Sequence, residues 1–118
     1  MGIGGTQDPA HAGRLFLFNG SAPSRVLVGQ APVGVREWHH IVLVRAGAGV
    51  CVYLDGEPDL RGDLGVAGIQ DDARLYFGGR ADNYANFEGR LDELAVYARS
   101  LTAAEVKAHY ARAEAKAN

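Results

Sequence analysis

Residues 37–56 read EWHHIVLVRAGAGVCVYLDG, and this stretch decides the fold. Two apolar runs, residues 37–45 and 50–55, flank a short segment of alanine and glycine, which is the pattern of a β-hairpin. The first run is largely apolar at both odd and even positions, so both faces of its strand are apolar. Such a strand lies inside a layered structure. We therefore predict a buried hairpin with Trp38 in the core.

Shorter apolar runs on either side of the hairpin predict further strands. They cover residues 14–18, 25–28, 75–77 and 87–97. The dipeptide Asp55-Gly56 favours a tight turn directly after the hairpin, because glycine accepts a left-handed backbone. Residues 57–73 are polar and rich in glycine, so we predict a connection there, and residues 1–13 are predicted to form a tail or loop.

One helix is predicted, at the C-terminus. Thr102 and Glu105 have the spacing of a capping box, in which each side chain bonds the backbone amide of the other residue. Leu101 and Val106 flank this box and are placed to form a hydrophobic staple. The predicted fold class is therefore all-β, an antiparallel β-sandwich with one short C-terminal helix.

Composition excludes several classes of protein. The chain has 118 residues, with 12 basic and 14 acidic side chains, so it lacks the basic excess of a nucleic-acid-binding domain. It has no apolar run near the roughly 20 residues of a membrane span. The N-terminus lacks the basic and apolar regions of a signal peptide. The single cysteine, Cys51, cannot form an intrachain disulfide.

Five segments occur in the order of a known family. They are WHHIV at 38–42, VCVYLDG at 50–56, LYFGG at 75–79, FEGRLDELAVY at 87–97 and RSLTAAEV at 99–106. In this order they resemble laminin-G-like, concanavalin A-like lectin/glucanase jelly-roll domains over residues 14–110. The resemblance implies a sandwich of two curved antiparallel sheets, usually an extracellular or cell-surface module that binds glycans or proteins.

The chain departs from that family at its start. Family members begin with several strands, including an aromatic-rich segment that residues 1–13 do not supply. The resemblance therefore implies a laminin-G-like domain at residues 14–118 that lacks N-terminal strands and corresponds to the last two-thirds of the module. A sandwich without these strands exposes a sheet edge. Strands of the parent protein, or a second copy in a homo-oligomer, are expected to complete it.

Catalysis is not expected. Hydrolases with this fold use carboxylates two and four positions apart on one strand, whereas Asp92 and Glu93 are adjacent and would point to opposite faces. No serine lies in a nucleophile elbow. His39 and His40 are neighbours on the predicted strand and cannot both bind a metal from one face.

Calcium is the one cofactor that the resemblance leaves open. Related modules bind Ca²⁺ through carboxylate and carbonyl oxygens on rim loops. Candidate ligands are Asp55, Asp59 and Asp82, although their spacing matches no known calcium loop. The alternative is that all three are solvated aspartates in turns.

The best candidate for a ligand-binding site is the loop at residues 80–86. Its side chains Arg80, Asp82, Asn83 and Tyr84 combine a cation, a carboxylate, an amide and an aromatic ring, which is the mixture that binds sugars. The alternative is a polar loop that only covers the rim. We predict a non-catalytic carbohydrate-recognition or adhesion module of a larger exported protein, extracellular or at the cell surface. The alternative function is a purely structural protein–protein interaction domain.

Overall fold

Two three-stranded antiparallel sheets and one helix form the larger of two structural units. The computed structural model describes residues 1–18, 26–65 and 74–117. The larger unit is Met1–Val66 with Arg99–Asn118, and the smaller unit is Ala67–Ala98.

The strands follow one another in simple meanders. They are β1 (Gly2–Ile3), β2 (Arg14–Phe18), β3 (Val26–Pro32), β4 (Ile41–Ala46), β5 (Gly49–Leu54) and β6 (Glu57–Asp63), and helix α1 is Ala103–Ala117. The first sheet has the order β1-β2-β3 and the second the order β4-β5-β6. The predicted hairpin is confirmed as β4 and β5, with Ile41 opposite Leu54 and Ala46 opposite Gly49.

Strand β5 is buried on both faces. Its residues Val50, Val52 and Leu54 pack with Leu15 and Leu17 of β2 in the core between the sheets. Burial of such side chains contributes about 1.5–3 kcal/mol each. The interior position predicted for the strand at residues 37–45 is therefore wrong, because β4 lies at the edge of its sheet with Leu43 48% exposed, and the buried strand is its neighbour β5.

The opposite face of β5 packs under the C-terminal helix. Tyr53 forms a second buried cluster with Leu101 and Val106, and β4 contributes partly buried valines beside it. The layers of this unit are therefore sheet, sheet and helix. The predicted all-β antiparallel sandwich with one C-terminal helix is confirmed.

The predicted capping box begins helix α1. Thr102 Oγ1 accepts a hydrogen bond from the Glu105 amide at 3.2 Å, and Glu105 Oε2 accepts one from the Thr102 amide at 2.8 Å. The Arg99 guanidinium donates to both Glu105 carboxylate oxygens, at 2.7 and 2.9 Å. The bonds from Arg99, followed by the Thr102 amide, lower the pKa of Glu105 to about 2. Glu105 therefore stays ionised in its cap at neutral pH.

Strand β6 corrects the prediction of an irregular connection after residue 56. Asp55 and Gly56 have φ values of 52° and 83°, which is the type I′ geometry of a two-residue hairpin. The turn directs Glu57–Asp63 back along β5, where Leu60 is buried opposite Val52. A polar sequence forms this strand because the turn sets its register and β5 supplies its hydrogen bonds. Residues 66–73 of the predicted connection lie outside the described residues.

Asp59 joins the two sheets at a pair of bulges. Partners along β5 pass from Leu60 to Pro58, so Asp59 has no cross-strand partner. Three residues of β3, 29–31, face the single residue Leu15 of β2. Asp59 Oδ1 accepts hydrogen bonds from the Gln30 amide at 3.0 Å and the Ala31 amide at 2.7 Å. Bulges commonly redirect a side chain in this way, and here one carboxylate binds the amides that the other bulge leaves unpaired.

Trp38 is not in the core, contrary to the prediction. Its exposed fraction is 66%, and β4 begins only at Ile41. The backbone turns before that point, because Arg36 adopts a left-handed conformation with φ of 63°. The apolar alternation therefore starts three residues before the strand does.

The N-terminal residues, predicted as a tail or loop, include a short strand. Gly2 and Ile3 pair with Phe16 and Leu15 of β2. An isolated bridge between Gly4 and Ala12 follows. The prediction omitted β1 because two residues are too few to show an alternation. Arg25, the first residue of another predicted strand, lies outside the described residues, and β3 is described from Val26.

The smaller unit corrects the strands predicted at residues 75–77 and 87–97. Its described part, residues 74–98, contains neither helix nor strand. Apolar side chains there are exposed, Leu75 to 71%, and Glu93 interrupts the second segment with φ of 49°. A segment with alternating apolar residues forms a strand only where a neighbouring strand forms hydrogen bonds with its backbone and another layer covers its apolar side chains. Within the described part of this unit neither is present.

Candidate functional site

The loop at residues 80–86 brings three of the four predicted ligand-binding side chains into one cluster. The Arg80 guanidinium donates a hydrogen bond to Asp82 Oδ2 and forms an ion pair with that carboxylate. Arg80 Cζ also lies over the Tyr84 ring, 5.5 Å from its centroid, as in a cation–π contact. Arg80 therefore connects the carboxylate and the aromatic ring.

Hydrogen bonds within the loop fix its shape. Asp82 Oδ1 accepts from the Tyr84 amide at 3.2 Å, and the Arg80 carbonyl accepts from the Asn83 amide at 3.1 Å. The Phe87 amide donates to the Gly78 carbonyl at 2.8 Å and closes the loop. The sequence predicted that flanking strands would hold this loop. Its own turns hold it instead, because residues 75–77 and 87–97 form no strand.

Asn83 takes part in the loop through both backbone and side chain. Its φ of 57° is left-handed, a conformation that asparagine adopts more readily than most residues. Asn83 Oδ1 accepts a hydrogen bond from Asn86 Nδ2. Because the side-chain oxygen of Asn83 is bonded to Asn86, its Nδ2 is the group that it can offer a ligand as a donor.

Asp82 is a carboxylate at neutral pH. The hydrogen bond from the Tyr84 amide is the largest cause that lowers its pKa, and the Arg80 side chain lowers it further. Tyr84 is 68% exposed, and Arg80 and Asp82 are exposed beside it. The cluster can therefore offer a ligand an aromatic face, an ionised acceptor and an amide donor.

The three calcium candidates each make separate local contacts. Asp55 binds the His39 side chain and the His40 amide, Asp59 binds β3 amides, and Asp82 binds Arg80 and the Tyr84 amide. In residues 1–18, 26–65 and 74–117, no three His, Cys, Asp or Glu side chains form a group that could hold a metal ion. Calcium binding by these residues stays a prediction.

Asp92 interacts with the backbone of its neighbour Glu93. Asp92 Oδ1 accepts a hydrogen bond from the Glu93 backbone amide at 2.8 Å. Asp92 thus holds the local backbone. The adjacent spacing remains unlike that of paired hydrolase carboxylates.

A polar cluster that was not predicted from the sequence lies where β5 turns into β6. Asp55 Oδ2 is 2.8 Å from His39 Nδ1, and Asp55 Oδ1 accepts from the His40 amide at 2.9 Å. The His40 ring lies 6.1 Å from the ring of Tyr110 on α1. Burial is the largest cause that lowers the pKa of His40, and the nearby His109 lowers it further. The hairpin register, which places Asp55 opposite His40, was the signal that could have identified this cluster.

The described part of the chain contains no helix with the length and apolar character needed to cross a membrane. Helix α1 has 15 residues and carries charged side chains along its length.

Comparison with known proteins agrees with this architecture. A family model described as "Concanavalin A-like lectin/glucanases superfamily" matches residues 4–107. No curated protein matches the chain.

A solved structure has a similar fold. It is the S-layer domain-containing protein (residues 221–444) from Clostridium thermocellum ATCC 27405, with a TM-score of 0.59 and 18% sequence identity. The similarity covers 72% of this chain but only 44% of the solved chain. At this identity the likeness concerns the fold alone. The family match covers most of the sequence, and the chain therefore belongs to the concanavalin A-like lectin/glucanases superfamily.

Proposed function

We propose that this chain is a non-catalytic carbohydrate-recognition or adhesion module of a larger exported protein. Domains of its superfamily often bind carbohydrate or act in adhesion. The similar solved structure comes from a protein described as S-layer domain-containing, which agrees with a place outside the cell or at its surface.

The observation that carries the proposal is the exposed ring of Tyr84 beside Asp82 and Asn83. An aromatic face stacks on the C–H surface of a sugar ring, and planar polar side chains bond its hydroxyl groups. The loop that holds these groups is closed by its own hydrogen bonds. A loop ordered before binding loses less conformational entropy when a ligand arrives.

The adjacent spacing of Asp92 and Glu93 supports a binding role over hydrolysis. Inverting and retaining glycosidases both require two carboxylates that flank the scissile bond. Asp92 instead bonds a backbone amide one residue away. We expect no hydrolysis of the glycans that the chain binds.

A glycan array probed in the presence of calcium and again in EDTA tests the proposal and the calcium prediction together. The chain should bind at least one glycan class. Loss of binding in EDTA would support calcium in the site, whereas unchanged binding would exclude a calcium requirement.

Replacement of Tyr84 tests the site itself. Tyr84→Ala should weaken binding to the best array glycan by about fivefold or more, equivalent to about 1 kcal/mol. The melting temperature should change little, because an exposed ring contributes little to folding. Tyr76→Ala is the matched control, an exposed tyrosine of the same unit outside the loop. Equal loss of binding in both variants, or loss only in Tyr76→Ala, contradicts the proposed site.

A structural protein–protein interaction domain is the second candidate, favoured by unpaired and exposed apolar surface. Strand β4 has a neighbour on one side only, and Leu43 on it is 48% exposed. Apolar side chains of the smaller unit are exposed as well. An open edge of this kind can pair with a strand from another chain. The partner would be a second copy or strands of the parent protein.

Sedimentation at micromolar concentration tests this second candidate. Self-association, together with failure to bind any glycan, supports it. A stable monomer that binds a glycan excludes an obligatory completion by another chain.

A further inference from the structure

The charge balance of the loop at residues 80–86 indicates which glycans it can take. Arg80 is its only cation, and that guanidinium is already paired with Asp82 and placed over Tyr84. A sulfate or carboxylate on a sugar would have to compete with Asp82 for the same donors. It would also meet the Asp82 carboxylate, which the lowered pKa keeps ionised at neutral pH.

The surroundings of the loop carry no excess of positive charge. The described part of the smaller unit carries three arginines and four carboxylates, namely Arg74, Arg80, Arg90, Asp82, Glu88, Asp92 and Glu93. Recognition of anionic groups relies on arginine or lysine side chains that can bind them directly. This unit has no excess of such side chains.

The remaining groups suit an uncharged sugar. Arg80 covers one face of the Tyr84 ring, which leaves the opposite face for stacking. Asp82 can accept hydrogen bonds from hydroxyl groups, and Asn83 Nδ2 can donate one. None of these contacts needs a charge on the ligand.

We infer that this loop selects neutral glycans over sulfated or carboxylated ones, and that Asp82 sets this selectivity by balancing the charge of Arg80. The inference rests on the proposed function. In it Asp82 has two roles, as an acceptor for sugar hydroxyls and as the counter-ion of Arg80.

An array of neutral glycans, each printed beside its sulfated form, tests the inference with the wild type, Asp82→Asn and Asp92→Asn. The wild type should bind neutral glycans more strongly than their sulfated forms. Asp82→Asn should raise the ratio of sulfated to neutral binding about fivefold, the factor for one unit charge at about 4 Å in water. This shift should shrink at high salt, because salt screens exposed charges. Asp92→Asn, which removes a carboxylate of the same unit outside the loop, should leave the ratio near that of the wild type.

The outcomes separate this inference from the proposed function. A wild type that prefers sulfated glycans overturns the selectivity but retains carbohydrate recognition. An unchanged ratio in Asp82→Asn, or an equal change in Asp92→Asn, overturns the role of Asp82. Binding of no glycan of either kind overturns the proposed function and this inference with it.

Discussion

The Asp59 contact between the sheets gives the most direct test of the fold. Asp59→Ala removes an acceptor that binds the Gln30 amide at 3.0 Å and the Ala31 amide at 2.7 Å. Hydrogen bonds to a charged group contribute about 1.5–3 kcal/mol each. The Gln30 bond is exposed, so water can replace it, whereas the Ala31 bond is partly buried. We expect the free energy of unfolding to fall by about 2–3 kcal/mol.

Two further variants isolate the cause. Asp59→Asn keeps an oxygen acceptor without the charge, so its loss should be roughly half as large. Asp63→Ala removes an aspartate from the other end of β6, where Oδ1 accepts a single exposed bond from the Gly65 amide at 2.7 Å. This control should lose no more than about 1 kcal/mol.

Equilibrium unfolding in urea, followed by circular dichroism, measures these differences. The dependence of the unfolding free energy on urea should stay constant, since a change would mean a different denatured or native state. Asp59→Ala within 0.5 kcal/mol of the parent would refute the reasoning. An equal loss in Asp63→Ala would also refute it, because the effect would then belong to any aspartate of β6.

The other predictions concern residues whose environments the structure defines. Trp38→Ala should lower the unfolding free energy by less than about 1 kcal/mol, whereas Val52→Ala, at a fully buried position, should lower it by about 2–3 kcal/mol. Chemical denaturation measures both losses, and a larger loss in Trp38→Ala would contradict the observed burial. Gly56→Ala should lower the melting temperature by several degrees, because φ there is 83° and a tyrosine side chain of α1 lies only 3.0 Å from the position of the added methyl group. An unchanged melting temperature counts against the I′ turn. The folded-state pKa of His40 lies below its ordinary value, so its contribution to stability is present above about pH 6.5 and is lost as the pH falls through the folded pKa. The melting temperature should therefore decline less between pH 7 and 5 in His40→Gln than in the wild type, and parallel curves would contradict this.

The central hairpin and the helix start could be predicted because their signals are local. The hairpin of β4 and β5 pairs as its two apolar runs and short Ala-Gly segment predicted, although the strand buried on both faces is β5 and not the first run. The Thr102–Glu105 box depends on two residues three positions apart, and both of its hydrogen bonds form. Patterns of this kind need no knowledge of distant neighbours.

Features that depend on residues far away in the sequence could not be predicted from such local patterns. The Asp55-Gly56 turn sets the register of β6, and pairing with β5 buries its single buried leucine. The sequence of β6 is otherwise polar. Trp38 belongs to an apolar alternation that begins before the strand, so periodicity alone placed it wrongly. In the sequence, Asp59 is only an aspartate that follows a proline. Its structural role depends on amides of β3 nearly 30 residues earlier.

The residues of the candidate site could be predicted from the sequence, but the local structure that holds them could not. Arg80, Asp82 and Tyr84 do form one exposed cluster, as their closeness in sequence suggested. The flanking strands that were expected to hold them are absent from the described part of that unit. Local turns with left-handed residues at Asn83 and Ala85 replace them, and such conformations give a weak signal in non-glycine residues.

The two-sided burial of β5 also bears on how the chain folds. Strands β4, β5 and β6 are joined by two-residue turns, so their pairings involve short loops and low contact order, which favours early formation. Leu101 and Val106 cover the face of β5 that carries Tyr53, and they are synthesised much later than the strands. During synthesis the paired strands therefore carry an open apolar face that is prone to aggregation until the C-terminus emerges. A chain that stops before Leu101 keeps that face exposed, and we expect it to aggregate unless another protein covers the face.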